Sequence, residues 1–315
     1  MREGHATVQL VADVGGTNCR LAFADANGLQ AGTVRRFHND DYDGFSACAR
    51  AYLADHPGAT SAAIAIAGPV ANGWGRLTNR DWHFDAKELA RELSLDVVFL
   101  LNDLEALGHA ISVLPDTSLH RLSGTAAQGA PQSVVIGLGT GFNVSLAHDA
   151  SGAVFAAEMG HAALLHPVRA IIGQAVDNLE AFPTQEHLFS GGGLARLHHA
   201  VTGHSCAPQD VAGAEGGTKT LTLMARAVGA LAREIAYLYL PEGGLYFNGS
   251  LARTVLNGDL IHHVLGPLQN DSSFDGRMAR MPMNLLTDDA AALYGCARYL
   301  QANAAPLISD KFSRG

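Results

Sequence analysis

The chain has 315 residues, of which 48% are hydrophobic, and its 21 basic and 30 acidic side chains leave a net charge of −9. That length and apolar content suffice for two domains with separate cores, and an acidic balance without runs of like charge excludes the basic footprint of a nucleic-acid binder. No apolar stretch approaches the ~18 residues that a membrane span needs, and Asp13 arrives before a signal-peptide apolar region is complete, so a cytoplasmic protein with no membrane partner is expected.

Residues 8–14, 18–25 and 33–38 read as three short strands in succession. The first turn, Gly15-Gly16-Thr17-Asn18, follows a carboxylate, Asp13, carried on an apolar run. Paired glycines let backbone N–H groups approach an anion, and Thr17 and Asn18 add side-chain donors, so the turn reads as a phosphate holder. An ordinary Gly-Gly hairpin with a surface aspartate is the plainer alternative. Phe45, Ala49, Tyr52 and Leu53 recur at helical spacing over 42–56, and Pro57-Gly58 ends that pattern. A buried-type strand over 61–67 stops at Gly68-Pro69, and Asp85 followed by Glu88 predicts a capping box for a helix running to Leu93. The apolar run 97–101 ends at Asn102-Asp103, and a helix over 104–114 closes the first lobe.

After a Gly/Ser/Ala/Gln/Pro stretch at 123–133 the pattern restarts, with strands over 133–138, 143–149 and 153–157 and a glycine turn at Gly139-Thr140-Gly141. Asn18-x-x-Leu21-Ala22 is echoed by Asn143-x-x-Leu146-Ala147, which predicts two similar α/β lobes clamping a polyphosphate. Helices follow over 168–179, 185–189, 194–201 and 219–239, with strands over 245–247 and 283–286 and an amphipathic helix over 288–302. The expected domains are a small lobe over 1–113, completed by 288–302, and a large lobe over 114–287.

Several motifs carry less than they suggest. Gly137-Leu138-Gly139-Thr140-Gly141 is followed by strand-like alternation where a dinucleotide fingerprint needs a helix. Gly216-Gly217-Thr218-Lys219-Thr220 lacks the glycine that precedes the lysine of a phosphate loop and reads as a helix start. Glu158-x-x-His161 has the spacing of a metal-ligand pair without a second such pair. The doublets His198-His199 and His262-His263 read as solvated. Cys19, Cys48, Cys206 and Cys296 form no C-x-x-C pair and read as free thiols.

Asp103 is the sharpest candidate for chemistry. A carboxylate at the C-terminal end of a buried strand sits where open α/β sheets bind ligands, although it also suits the N-cap of the next helix. Phosphoryl transfer to an alcohol needs a carboxylate that orients the hydroxyl and takes its proton.

Eight segments together carry a family resemblance: Asp13-Val14-Gly15-Gly16-Thr17-Asn18-x-Arg20, Ile66-Ala67-Gly68-Pro69-Val70, Leu77-Thr78-Asn79-x-x-Trp82, Leu101-Asn102-Asp103, Gly139-Thr140-Gly141, Glu158-Met159-Gly160-His161, Glu186-His187-Leu188-Phe189-Ser190-Gly191 and Phe247-Asn248-Gly249. In their order and spacing the chain resembles the proteobacterial glucokinase family, within the superfamily of sugar kinases and actin. The resemblance implies two ribonuclease H-like lobes, the actin-like ATPase and hexokinase fold, with an active-site cleft between domains. It implies phosphorylation of glucose at the 6-hydroxyl by ATP, with Asp103 as general base and Asn102, Glu158, His161 and Glu186 bonding other sugar hydroxyls. Thr78 and Asn79 would support the sugar loop. Gly15, Gly16, Thr17, Asn18, Gly139 and Thr140 would hold the ATP phosphates, Gly249 would lie near the adenosine, and Asp13 would order Mg²⁺ through water. Members are often homodimers, so a homodimer is the implied assembly. The chain departs from the family pattern at Asn143, Met159 and Ser250, each standing where glycine is usual, and the zinc motif of the related repressor-and-kinase family is missing. A kinase for fructose, mannose or an N-acetylhexosamine is the nearest alternative. A sugar-sensing regulator without turnover is less well supported, because Asp13 and Asp103 are both present.

Overall fold

The computed structural model describes residues 8–125, 129–148 and 151–303. They form two α/β units, one from the residues up to Leu114 together with those from Asp289 onward, the other Pro115–Asp288.

In chain order the first unit contains β1 (Val8–Val14), β2 (Asn18–Asp25), β3 (Gly28–Leu29), β4 (Arg35–His38), α1 (Phe45–Asp55), β5 (Ala59–Ile66), β6 (Val70–Ala71), β7 (Trp74–Arg76), β8 (His83–Asp85), α2 (Ala86–Glu92), β9 (Val97–Asn102) and α3 (Asp103–Ala110), and it ends on the C-terminal helix Ala291–Asn303. Its main sheet has the order β3-β2-β1-β5-β9, with β4 also on β2. The hairpin β1–β2 is antiparallel, whereas β1, β5 and β9 run parallel, with Asp13 opposite Ala65 and Ile66 opposite Asn102. Asp13, the Gly68 turn and Asn102-Asp103 therefore leave the sheet at the same edge, the carboxyl ends of its parallel strands. The buried side chains Leu10, Leu21, Tyr52, Ile64 and Phe84 fill the core on one face.

The C-terminal helix packs against α3, and it does so at backbone distance. A Cβ built on Gly295 would lie 1.7 Å from the Ala106 carbonyl oxygen, so only glycine permits this crossing. One residue on, the buried Cys296 thiol points to the Ala12 carbonyl at 3.6 Å, and burial pushes that thiol's pKa up. All four cysteines are free. Cys19 and Cys48, 29 residues apart in sequence, nevertheless bring their sulfurs to 3.0 Å inside the core, and the Cys48 thiol together with burial keeps Cys19 protonated.

The second unit contains β10 (Leu119–Ser123), β11 (Gln132–Leu138), β12 (Phe142–His148), β13 (Ala153–Ala156), α4 (His166–Ile172), α5 (Gln185–Leu188), α6 (Gly191–Thr202), α7 (Gly217–Tyr239), β14 (Gly244–Asn248), α8 (Ser250–Val255), α9 (Ile261–Gln269) and β15 (Met283–Leu286). Its sheet order is β10-β15-β14-β11-β12-β13. The central helix α7 buries Leu221, Met224, Val228, Leu231 and Ile235 along one stripe at helical spacing.

Both units thus place an antiparallel hairpin beside two further parallel strands, the duplicated architecture that the repeat pattern predicts. The letter echo itself does not superpose. Counted back from the turn, the last pairs are Val14–Cys19 and Leu138–Phe142, because the second turn is one residue shorter. Asn18 and Asn143 therefore occupy different positions in their hairpins.

Other boundaries moved for local reasons. The strand expected over 33–38 starts at Arg35, since Ala31–Thr33 form a 3-10 turn in which the Thr33 hydroxyl accepts from Phe23 N–H and donates to the Gln30 carbonyl. Asp85 caps α2 through the N–H groups of Lys87 and Glu88, but Glu88 does not complete a box and lies 3.9 Å from Arg91 instead. The helix expected over 168–179 ends at Ile172, capped at Gly173, and α3 ends at Ala110 rather than 114. The sequence reading missed β6–β8 and β10, α8, and α9, which carries Pro267 in its interior. Asp149, the expected end of β12, lies outside the described residues, as do 126–128 of the Gly/Ser/Ala/Gln/Pro stretch. His198 is fully buried, against the solvated reading, with Nδ1 3.0 Å from the Thr220 hydroxyl. Among the described residues no helix is long and apolar enough to cross a membrane.

Gly295→Ala is expected to destabilise the protein by about 1–3 kcal/mol through overpacking against α3. Gly32→Ala, where an added Cβ meets nothing within 4 Å, serves as the control in the same thermal melt and should leave Tm unchanged.

Candidate active site

The first unit brings four segments of the predicted site together. Asn102 is the N-cap of α3, its Oδ1 accepting from Leu104 N–H at 3.0 Å while Glu105 accepts from Asn102 N–H at 3.2 Å. The spacing Asn102-x-x-Glu105 is that of a capping box. It displaces Asp103 from the cap to the first helical position, where Asp103 Oδ1 accepts from Leu104 N–H at 2.9 Å. Burial, and next the charge of Asp13, push the Asp103 carboxyl up to about 6. Glu105 is likewise raised by burial.

Asn102 also donates from Nδ2 to the Gly68 carbonyl at 3.0 Å. Gly68 in turn lies so close to the following loop that a Cβ there would be 2.1 Å from the Arg76 carbonyl oxygen and 3.1 Å from Thr78 N. The segment bearing Thr78 and Asn79, both exposed, is thereby fixed to the strand end that bears Asp103.

Asp13 pairs across the hairpin with Arg20, whose Nη1 lies 3.1 Å from Asp13 Oδ2, and Arg20 Nη2 lies 3.7 Å from Asp289. Burial raises Asp13 against the pull of Arg20. In the glycine turn, Gly15 N–H donates to the Asn18 carbonyl at 3.0 Å, and neither glycine has positive φ. A Cβ added at Gly16 would meet Asn79 Cβ at 3.4 Å, an ordinary van der Waals contact, so the turn runs beside the segment that bears Asn79. Two residues that sequence reasoning missed hold this turn. Buried Asn39 donates from Nδ2 to the Gly15 and Gly16 carbonyls at 2.8 and 3.2 Å and from its backbone to the Thr17 carbonyl at 2.9 Å. Arg80, stacked over Trp82, donates to the Asn39 carbonyl at 3.0 Å and to Asp40 at 2.7 Å. Nothing in the local sequence of either residue marks that role. Thr17 is exposed, and Asn18 Oδ1 accepts from Arg36 Nε at 3.1 Å.

The second unit gathers the remaining predicted residues around its own turn. Gly139 N–H donates to the Gly141 carbonyl at 3.0 Å, and the Gly139 carbonyl accepts from Gly191 N–H at 2.8 Å, at the start of α6. Gly249 has φ +106°, and a Cβ there would lie 2.3 Å from the Leu138 carbonyl oxygen, so β14 brings a bare backbone position against the Gly139-Thr140 turn. Glu186 Oε2 accepts from Phe142 N–H at 3.2 Å and crowds the space a Gly141 side chain would fill. Glu158 and His161 are 75% and 81% exposed, with 4.0 Å between carboxylate and imidazole, so both keep bonding capacity for a ligand. Among the described residues no cluster of three or more His, Cys, Asp or Glu has the arrangement of a metal site.

Comparison with known proteins agrees with this architecture. The glucokinase family model matches residues 10–303. A glucokinase of Cupriavidus metallidurans is 29% identical over 314 residues, covering 93% of each chain, and one of Neisseria meningitidis is 29% identical over 312, covering 93% of this chain and 94% of its own. Among solved structures, a glucokinase from an Antarctic psychrotroph has 25% identity and a TM-score of 0.81 over 95% of this chain and 100% of its own. The Balamuthia mandrillaris glucokinase, solved in complex with glucose, has 18% identity and a TM-score of 0.71 over 96% of each chain and speaks for the fold. With a family match over residues 10–303, which spans both units, and a glucokinase structure similar over 95% of the chain, the chain belongs to the glucokinase family and is a hexose kinase.

Proposed function

We propose that the protein transfers the γ-phosphoryl group of ATP to the 6-hydroxyl of glucose, with Asp103 as the general base. The observation that carries this reading is the position and ionisation of Asp103. Asp103 Oδ1 accepts from Leu104 N–H, which leaves Oδ2 at the strand end for a hydroxyl, and burial holds the carboxyl pKa at about 6, close to the optimum for a base working near neutrality. Asp103 accepts the proton of the 6-hydroxyl, the oxygen attacks the γ-phosphorus, and ADP leaves. Asn102, Glu158, His161 and Glu186 orient the remaining hydroxyls, and Thr78 and Asn79 support them. Carboxylate, amide and imidazole together accept and donate in the fixed directions that a set of alcohols requires.

For the donor, the carbonyls of Gly15, Gly16 and Thr17 are taken up by Asn39, which supports a turn that offers N–H groups and the Thr17 hydroxyl to phosphate oxygens, with Asn18 beside it. Gly139 and Thr140 provide the second phosphate turn, and the bare Gly249 backbone beside it suits a flat adenosine. Asp13 fits a role in ordering Mg²⁺ through water, because a buried carboxylate and a like-charged Asp103 both gain from a nearby cation. Bound there, Mg²⁺ would neutralise charge on the transferring phosphate.

A coupled assay across glucose, fructose, mannose and N-acetylhexosamines tests the substrate, and kcat/KM should be highest for glucose; a higher value for any other sugar overturns the assignment. Asp103→Asn is expected to lower kcat by about 10²- to 10⁴-fold while glucose affinity stays within roughly tenfold. The same substitution should raise Tm at high pH. The folded-state pKa of about 6 lies above the ordinary 3.8, so the ionised carboxylate costs stability above that range, and the gain should vanish as pH falls through 6 towards 4. In the wild type, kcat/KM should fall about tenfold per unit below pH 6 as Asp103 takes up its proton. A pH-rate profile without an acid limb in that region would remove Asp103 from the role of base.

A further inference from the structure

Asn143 spends its whole side-chain amide on one loop. Nδ2 donates to the Ala157 carbonyl at 2.5 Å and to Glu158 Oε2 at 3.3 Å, while Oδ1 accepts from Met159 N–H at 3.0 Å. The rotamer is fixed by a further bond from Val144 N–H to Oδ1 at 2.9 Å. The neighbouring residue completes the arrangement. Phe142 N–H donates to Glu186 Oε2 at 3.2 Å, and the Phe142 carbonyl lies where a Cβ on Gly160 would meet it at 2.4 Å. The first two residues of β12 therefore hold both exposed-loop and helix-borne carboxylates, Glu158 and Glu186, directly after the Gly139-Thr140-Gly141 turn.

Without the Asn143 side chain the loop around Glu158 loses three bonds to β12 and keeps its own 3-10 turn, in which His161 N–H donates to the Glu158 carbonyl at 3.2 Å, and beyond it the bonds of Gln185 to the Ala162 and Ala163 carbonyls. A carboxylate as exposed as Glu158 has many rotamers in water, and binding a sugar through it requires that freedom to be given up. Restraining it beforehand lowers that cost.

We propose that Asn143 is a positioning residue that sets sugar affinity by holding Glu158 and, through the Met159 backbone, His161 in their binding geometry. The proposal deepens the glucokinase reading and rests on it. Asn143 does not touch the reacting atoms, so its contribution falls on binding. Two of the positions at which the chain departs from its family's pattern, Asn143 and Met159, are joined by one of these hydrogen bonds.

The test uses the full chain, with steady-state kinetics and calorimetric titration of glucose for the wild type, Asn143→Ala and Asn143→Asp. Asn143→Ala should raise KM and Kd for glucose about tenfold, the scale of one lost hydrogen bond to a charged group, with kcat and the KM for ATP within about threefold. Asn143→Asp keeps the acceptor for Met159 N–H but sets a carboxylate against Glu158, with Glu186 on the adjacent Phe142 and His161 4.0 Å from Glu158 as the other ionisable groups. Its glucose Kd should therefore exceed that of Asn143→Ala at about pH 8 and return towards it near pH 5, where protonation of a carboxyl restores a donor. A pH-dependent difference between the two variants is not expected of a residue that merely supports the fold. A glucose Kd within about twofold of wild type in both variants, with the wild type active on glucose, overturns the positioning role alone. A parallel loss of kcat, ATP affinity and Tm in Asn143→Ala overturns it as well. A wild type that neither binds nor phosphorylates glucose removes this proposal and the glucokinase reading together.

Discussion

Much of the first unit's chemistry depends on one amide. Asn102 closes β9, caps α3 through Leu104 N–H and reaches Nδ2 across to the Gly68 carbonyl. A helix start exposes backbone donors that a side chain must satisfy, and the residue that does so here is not the carboxylate beside it. Asp103, at the first helical position, still accepts from Leu104 N–H, a bond that pulls its pKa down. Burial and the charge of Asp13 outweigh that pull, and the carboxyl rises to about 6.

The two glycine turns achieve similar ends by different means. In the first unit the glycines adopt ordinary φ values, and the turn is held from outside by Asn39, with Arg80 bonded behind it. The second turn is defined by close approach. Gly249, at φ +106°, lets β14 lie against Leu138 and Gly139 at distances no side chain would tolerate. Substitution would strain the second turn directly, whereas the first would be disturbed most by loss of its external partners.

Polar groups of the second unit tie the Gly139 turn and the start of β12 to α6 and to the carboxylates of Glu186 and Glu158. Gly139 binds Gly191 N–H, Phe142 N–H holds Glu186, and Asn143 holds Glu158 and Met159. A strand start is a stiff place from which to fix such groups, because its backbone is already committed to the sheet. Exposed carboxylates on loops gain from that stiffness, since their own hydration favours many rotamers over one.

The sequence by itself determined the elements with strong periodicity and the residue types of the site. The strands β1, β2 and β15 agree with the spans read from alternation, α7 starts and ends within two residues of its expected span, and the motif set was sufficient to identify the family. It did not determine β6–β8, whose two or three residues give no period, nor the equivalence of the two hairpins, where a letter match at Asn18 and Asn143 concealed a turn shortened by one residue. Tertiary structure alone decided which polar groups are consumed by the fold and which remain for a ligand. Whether Asp103 caps or Asn102 does, whether His198 is solvated or buried, and what Asn143 grips all depend on residues distant in sequence or on a choice between neighbours of equal propensity. Hydrogen bonds and burial are properties of the packed chain, and residue spacing constrains them only where both partners lie on one element.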